Sequence, residues 1–222
     1  MIAREKENDV KNVQMIACLA GAAFAAPAMA QLTVYTDRAA WEAAVGANPI
    51  FVEDFNNLAT GEIADGATLD TGIIQITRDG SPNGADGALA ISPGDQFGNF
   101  DGTNHLDGET GIMPGESVDF GFNGSSVFAF GADWVSPFSG DGIALEVGNE
   151  LILLDAVAGF DAGFIGFVSG GATFSTISVV GTPDEISFQE LWQADNVSYA
   201  VPAPSALALL GLGGMVAGRR RR

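Results

Sequence analysis

Ser117–Trp134 reads SVDFGFNGSSVFAFGADW, and its two halves show the two patterns from which the fold class follows. In the first half Val118, Phe120 and Phe122 alternate with polar or small residues, which is the period of a strand buried on one face. In the second half Val127–Ala132 is a continuous apolar run, typical of a central strand covered on both faces. The segment therefore predicts two strands.

Turn signals, rather than helices, separate similar patterns along the rest of the chain. Glycine tolerates the positive φ of tight turns, and aspartate often precedes it there. The sequence has 30 glycines, six of them in Asp-Gly dipeptides. Those dipeptides are Asp65-Gly66, Asp79-Gly80, Asp86-Gly87, Asp101-Gly102, Asp107-Gly108 and Asp141-Gly142.

Short strands joined by such turns predict an all-β domain, an antiparallel β-sandwich of the jelly-roll kind. A β-helix would need a short repeating period, which the sequence lacks. About eleven strands are predicted, at Ile50–Phe55, Ile73–Thr77, Ala88–Ile91, Ser117–Phe122, Val127–Ala132, Ile143–Val147, Leu151–Leu154, Phe164–Val168, Ile177–Val180, Ile186–Trp192 and Val197–Val201.

One short helix is predicted near the start of this domain. The sequence RAAWEAAV at Arg38–Val45 follows Thr36-Asp37, and Asp37 is a good N-cap residue. Gly46 then supplies the stop signal.

The charge of the middle of the chain excludes some partners. Three of the nine basic residues lie in residues 1–30 and four end the chain, so only Arg38 and Arg78 remain between, against 25 of the 28 acidic residues. Nucleic acid and anionic membrane surfaces are therefore disfavoured as partners of this domain, whereas cations and neutral polymers remain. Solubility or adaptation to salt is the alternative explanation of the charge.

The N-terminal 30 residues have the order of a secretory signal peptide. Basic residues precede the apolar run MIACLAGAAFAAPAMA at residues 15–30, which ends in Ala28-Met29-Ala30. Cleavage is predicted after Ala30, with Ala28 and Ala30 as the small residues of the cleavage site. Cys18, the only cysteine, would be removed with the leader, so the mature domain could form no disulfide.

The last 22 residues combine three signals in a fixed order. Pro202 and Pro204 precede the apolar run SALALLGLGGMVAG at residues 205–218, and Arg219–Arg222 end the chain. A helix of about 14 residues is roughly 21 Å long, shorter than the roughly 30 Å core of a bilayer. The arginines predict that the tail end stays in the cytoplasm while the domain lies outside.

This tail resembles the sorting signal of PEP-CTERM proteins, in which a Pro-Glu-Pro motif, a hydrophobic helix and a basic terminus follow one another. The resemblance implies that Pro202, Pro204, Arg219, Arg220, Arg221 and Arg222 are recognised by an exosortase-like enzyme. Ala203 stands where the family usually has glutamate, and a plain C-terminal membrane anchor is the alternative. The predicted domains are therefore a signal peptide at residues 1–30, an acidic β-sandwich at residues 31–200 and a sorting tail at residues 201–222.

The domain also resembles, more loosely, domains found in PEP-CTERM proteins, through YTDRAAWEAA at Tyr35–Ala44, EDF at Glu53–Phe55 and DNVSY at Asp195–Tyr199. Jelly-roll carbohydrate-binding modules similar to it often share a structural calcium between acids near the first strand and a carboxylate before the last. That likeness implies Glu53, Asp54 and Asp195 as Ca²⁺ ligands. Exposed acids at strand ends are the alternative reading.

Other candidate sites carry weaker signals. Trp134 and Phe138, at the end of a strand and in the loop after it, are predicted as a surface for stacking sugar rings, and capping of the core is the alternative. Asp101–Glu109 (DGTNHLDGE) is predicted as a turn and His105, the sole histidine, as a loop residue. Neither a Ser-His nor a zinc hydrolase pattern occurs.

These observations together predict a non-enzymatic protein of a Gram-negative bacterium, exported across the inner membrane, transiently anchored through its C-terminal helix, and then located at the cell surface or in the extracellular matrix. Extracellular polysaccharide is the expected partner, and surface packing is a third possibility. The alternative is a secreted glycan-active hydrolase that uses a pair of carboxylates.

Overall fold

The computed structural model describes residues 31–79, 89–93, 102–108, 117–135, 143–154, 162–181 and 192–203. These residues form two antiparallel sheets and one helix, so the predicted all-β sandwich class is confirmed. The elements are β1 (Leu32–Tyr35), α1 (Arg38–Val45), β2 (Ile50–Glu53), β3 (Gly61–Ile63), β4 (Thr68–Asp70), β5 (Gln75–Asp79), β6 (Leu89–Pro93), β7 (Asn104–Gly108), β8 (Ser117–Gly121), β9 (Ala129–Val135), β10 (Ile143–Val147), β11 (Glu150–Leu153), β12 (Ala162–Ser169), β13 (Thr176–Gly181) and β14 (Trp192–Ala200).

Eight strands form the larger sheet, in the order β1-β12-β9-β14-β7-β6-β3, with β2 also paired to β14. The smaller sheet has six strands in the order β11-β10-β13-β8-β5-β4. β14 pairs with three strands of the larger sheet: β9 lies along one of its edges, and β7 and β2 share the other. The last strand of the domain is therefore bonded to segments from its beginning and its middle.

The core lies between the two sheets. Alternate residues of each strand point inward, and three inward aromatic rings pack together where β8 meets β9 and β14. Phe122 contacts both Phe130 and Tyr199, with ring centroids 6.1 and 4.9 Å apart. At about 25 cal/mol per Å² of apolar area removed from water, burying such rings is the main stabilising contribution of the fold.

Helix α1 has the predicted bounds and covers part of the outer face of the larger sheet. The Asp37 carboxylate accepts a hydrogen bond from the Ala40 backbone N–H at 2.7 Å, and the helix ends at Gly46, whose φ is 68°. Trp41 and Val45 are the buried residues of the helix and pack on Ala129 and Phe164. The Trp41 indole N–H also donates to the carbonyl oxygen of Phe167 at 3.0 Å.

Close packing under α1 requires glycine in the sheet. A Cβ atom built on Gly131 would lie 2.5 Å from Phe164 Cζ and 3.0 Å from the Cα atom of Gly166. Both distances are shorter than ordinary van der Waals contact. Gly131 and Gly166 therefore let the Phe164 ring lie flat on the sheet beneath the helix.

Two sequence predictions are corrected by the strand pattern. The residues around His105, predicted as a turn, form β7, and His105 is fully buried in it rather than lying in a loop. The structure has one strand at Trp192–Ala200 where a break was predicted after Trp192. The break was predicted because the residues after Trp192 are polar. In the structure these polar residues lie on a buried face of the sheet and belong to β14.

Within the described residues, no helix is both long enough and apolar enough to cross a membrane. The predicted leader and the apolar part of the predicted tail lie outside those residues.

Candidate functional site

Two segments from the start of the domain and one from its end meet at a β-bulge in β14. Asp195 pairs with Asp133 and Ser198 with Gly131, so two residues of β14 lie opposite the single Ala132 of β9. One of the two, Asn196, has a φ of 49°, which is uncommon outside glycine. α1 reaches this bulge from above and β2 from the side, so YTDRAAWEAA, EDF and DNVSY form one cluster.

Arg38, the first residue of α1, holds the bulge through its guanidinium group. Its Nη1 donates to Ser198 Oγ at 2.9 Å, and its Nη2 donates to the Asn196 carbonyl oxygen at 3.1 Å. The same Nη2 lies 3.0 Å from Asp133 Oδ2, and the guanidinium carbon lies 4.6 Å from the centre of the Phe164 ring. One side chain thus binds two strands and covers an aromatic ring.

Asn196 completes this network from within the bulge. Its side-chain Nδ2 donates to Asp133 Oδ2 at 3.0 Å, and its backbone N–H donates to the Asp195 carboxylate at 2.6 Å. Ser198 Oγ in turn donates to the Asn196 carbonyl oxygen at 2.8 Å. We refer to Arg38, Asp133, Asn196 and Ser198 as the bulge network. Its contacts connect α1 to β9 and β14.

The three carboxylates predicted to bind calcium each accept a hydrogen bond from nearby backbone. Glu53 and Asp195 lie on opposite faces of the larger sheet, because the ladder partner of Glu53 is the core residue Val197, whereas Asp195 points outward. Glu53 pairs with Val197 in the ladder between β2 and β14, and its Oε1 accepts from the Phe55 N–H at 2.8 Å. Asp54 accepts from the Asn56 N–H at 3.1 Å. In the part of the chain that the structure describes, no group of three or more His, Cys, Asp or Glu side chains is placed to hold a metal ion. Calcium at Glu53, Asp54 and Asp195 stays a prediction.

Trp134, predicted as a sugar-stacking residue, faces the core. It is 1% exposed, its indole N–H donates to the Ile165 carbonyl oxygen at 3.2 Å, and its ring packs against Trp192 at 5.8 Å. Neither face of the indole is open to solvent, so a sugar ring could not stack on it in this conformation. Phe138, the second residue of that prediction, lies outside the described residues.

Phe51 is an exposed aromatic side chain that the sequence reading did not single out. It lies on β2, is 42% exposed, and stacks on Tyr199 with ring centroids 5.1 Å apart and planes inclined by 18°. The Tyr199 hydroxyl donates to the Ile73 carbonyl oxygen at 3.0 Å, and burial raises the pKa of that hydroxyl. Phe51 therefore presents one ring face on a rigid backing.

A row of polar side chains lies on the outer face of the larger sheet, beside the part that α1 covers. Leu106, Trp192 and Ala194 point into the core, so their neighbours on β7 and β14 point outward. Those neighbours are nevertheless buried, which is unusual for polar residues. They are His105, Asp107, Gln193 and Asp195.

The predicted processing residues are only partly described. Pro202 is exposed just after β14, and the Ala203 N–H donates to the Asn48 side-chain oxygen at 2.9 Å. The other residues of the predicted signal cleavage site and of the predicted sorting motif lie outside the described ranges. They are Ala28, Ala30, Pro204, Arg219, Arg220, Arg221 and Arg222.

No protein-family model matches the chain, and no curated protein is similar to it in sequence.

Alternation along the strands was the signal that could have identified the missed residues. Gln193 and Asp195 alternate with Trp192 and Ala194, the same period that predicted β8. Recognising that period would have extended β14 and shown its polar residues sharing one face. Nothing in the sequence distinguishes the exposed Phe51 from the buried phenylalanines.

Proposed function

We propose that this chain is an exported surface protein of a Gram-negative bacterium, sorted through a PEP-CTERM-like tail by an exosortase-like enzyme. Its jelly-roll sandwich is a non-enzymatic module that associates with extracellular polysaccharide. The tail helix holds the protein in the membrane until sorting, and nucleic acid is not a partner.

Both predicted cleavage sites lie outside the first and last strands of the domain. β1 begins at Leu32, and the Gln31 carbonyl oxygen already accepts a hydrogen bond from the Gly170 N–H at 3.0 Å. β14 ends at Ala200, and the chain stays bonded to the domain as far as Ala203.

The exposed Phe51 ring is the observation that carries the polysaccharide proposal. A sugar ring offers C–H groups on one face, and these stack on aromatic rings, while its hydroxyl groups bind polar neighbours. Because Phe51 is backed by Tyr199, little side-chain freedom is lost when a ligand binds it. A neutral polymer also avoids the electrostatic repulsion that an anionic partner would meet.

Binding to the polysaccharide of the producing cell tests this proposal. The purified full chain is expected to bind without releasing sugars, and Phe51→Ala is expected to weaken binding about tenfold through loss of the stacking face. Leu151→Ala is the matched control, because Leu151 is 52% exposed on an edge strand of the other sheet. Equal binding by Phe51→Ala and the wild type would contradict the polysaccharide proposal. Release of sugars would favour the hydrolase.

A further inference from the structure

Asp107 and Gln193 form a buried polar pair in which the carboxylate has one long contact within the part of the chain that the structure describes. The two residues are direct partners in the ladder between β7 and β14, and they are 1% and 0% exposed. Gln193 Nε2 lies 3.5 Å from Asp107 Oδ1, at the outer limit for a hydrogen bond. Among the described residues, Gln193 Oε1 has no hydrogen-bond partner.

The positive charge that such a carboxylate needs is not supplied by an arginine or lysine of the domain. Buried carboxylates are normally paired with a cation, because transfer of the charge out of water is costly. The mature domain has only two basic residues of these kinds. Arg38 pairs with Asp133 and Arg78 pairs with Asp65, at 3.0 and 3.5 Å. An ion from the surrounding solution can provide the missing charge.

The separation of the two side chains fits a shared metal ion. If the Gln193 amide turns over, its oxygen takes the position that is 3.5 Å from Asp107 Oδ1. Calcium binds oxygen ligands at about 2.4 Å, so two oxygens this far apart would subtend about 90° at one ion, as neighbouring ligands commonly do. The turned amide gives the oxygen a ligand, and Nε2 moves to the position that Oε1 leaves.

We propose that Asp107 and Gln193 are ligands of a divalent-cation site on the outer face of the larger sheet, with calcium as the ion. Water molecules supply the other ligands, because β7 and β14 are paired on both sides and their backbone carbonyl groups are used within the sheet. A single carboxylate gives modest affinity, with a Kd of about 10⁻⁴–10⁻³ M, which is typical of extracellular modules. This site is separate from Glu53, Asp54 and Asp195, and it does not depend on polysaccharide binding.

Thermal unfolding of the purified full chain in calcium and in chelator tests the site. We expect about 10 mM calcium to raise the Tm of the wild type by roughly 5 °C relative to chelator. Asp107→Asn should abolish the shift. Glu146→Gln, which removes an exposed carboxylate on β10, should leave the shift unchanged.

Gln193→Glu should increase the calcium shift, whereas Asp107→Asn abolishes it, and this contrast separates ion binding from simple loss of packing. In chelator its Tm should fall below that of the wild type, because two carboxylates then face each other in a buried position. In calcium the second carboxylate becomes a stronger ligand, so its calcium shift should exceed that of the wild type.

Two results would overturn the proposal. An equal Tm of the wild type in calcium and in chelator would mean that an ordered water molecule satisfies Gln193 instead. A calcium shift that survives in Asp107→Asn and disappears in Asp195→Ala would place the ion at Glu53, Asp54 and Asp195.

Discussion

The bulge network and the Asp107–Gln193 pair lie on the same face of the same sheet, yet they differ in how their polar atoms are satisfied. In the bulge network Asp133 Oδ2 receives both Arg38 and Asn196 at 3.0 Å. In the pair, the one contact between the two side chains is 3.5 Å long. A buried cluster whose polar atoms all have hydrogen-bond partners stabilises the fold by itself. A cluster that lacks some of those partners can gain stability from a bound ligand.

Loss of Arg38 should have the largest effect on stability. Arg38→Ala removes three polar contacts and the cover over Phe164, so we expect the free energy of unfolding to fall by about 2–4 kcal/mol. Chemical denaturation measures this loss. Arg78→Ala is the control and should cost less, since its partner Asp65 is 49% exposed. Equal losses would contradict the special role of the bulge network.

Adding a methyl group beneath α1 should have the next largest effect. Gly131→Ala forces the Phe164 ring away from the sheet, which we expect to cost about 1–3 kcal/mol of unfolding free energy. Gly121→Ala is the control, because a Cβ atom there meets only Gln75, at 3.5 Å or more. If Gly131→Ala is as stable as the control, the helix does not depend on the close approach of Phe164.

The sequence predicted the elements whose patterns arise from local chemistry. The bounds of α1 follow from Asp37 and Gly46, and β8 follows from the alternation of Val118, Phe120 and Phe122. The length of β9 could not be predicted in the same way. It runs through Asp133, because Arg38, 95 positions earlier in the chain, neutralises that carboxylate.

The candidate sites were harder to predict because they depend on which strands are neighbours. Asp107 and Gln193 are separated by 86 positions, and the sequence around Asp107 predicted a turn rather than a strand. Trp134 is of a residue type that often binds ligands. Its position in the alternation of β9, however, directs its side chain into the core.

Removing the unpaired charge of the Asp107–Gln193 pair should have an effect of opposite sign to Arg38→Ala. In chelator, Asp107→Asn no longer buries a charge, and its new amide can donate to Gln193 Oε1. We therefore expect unfolding free energy to rise by about 1 kcal/mol relative to the wild type in chelator. Denaturation at low ionic strength measures it, and a large loss would show that the carboxylate is satisfied without metal.

The smallest effect concerns Tyr199, which supports Phe51. Burial raises the pKa of the Tyr199 hydroxyl in the folded state, so the neutral form is favoured by folding. Its contribution is fully present below the unfolded pKa of about 10 and is lost as the pH rises through the higher folded pKa. Tyr199→Phe should therefore flatten the fall in Tm above about pH 10. An unchanged slope would assign that fall to other groups.

Processing at both ends is the central claim, and the intact mass of the protein recovered from cells and medium tests it most directly. The account predicts a released form that begins at Gln31 and lacks Arg219–Arg222, with a cell-associated form that still carries the arginines. A single cytoplasmic species with the full mass of residues 1–222 would contradict export, sorting and the polysaccharide association together.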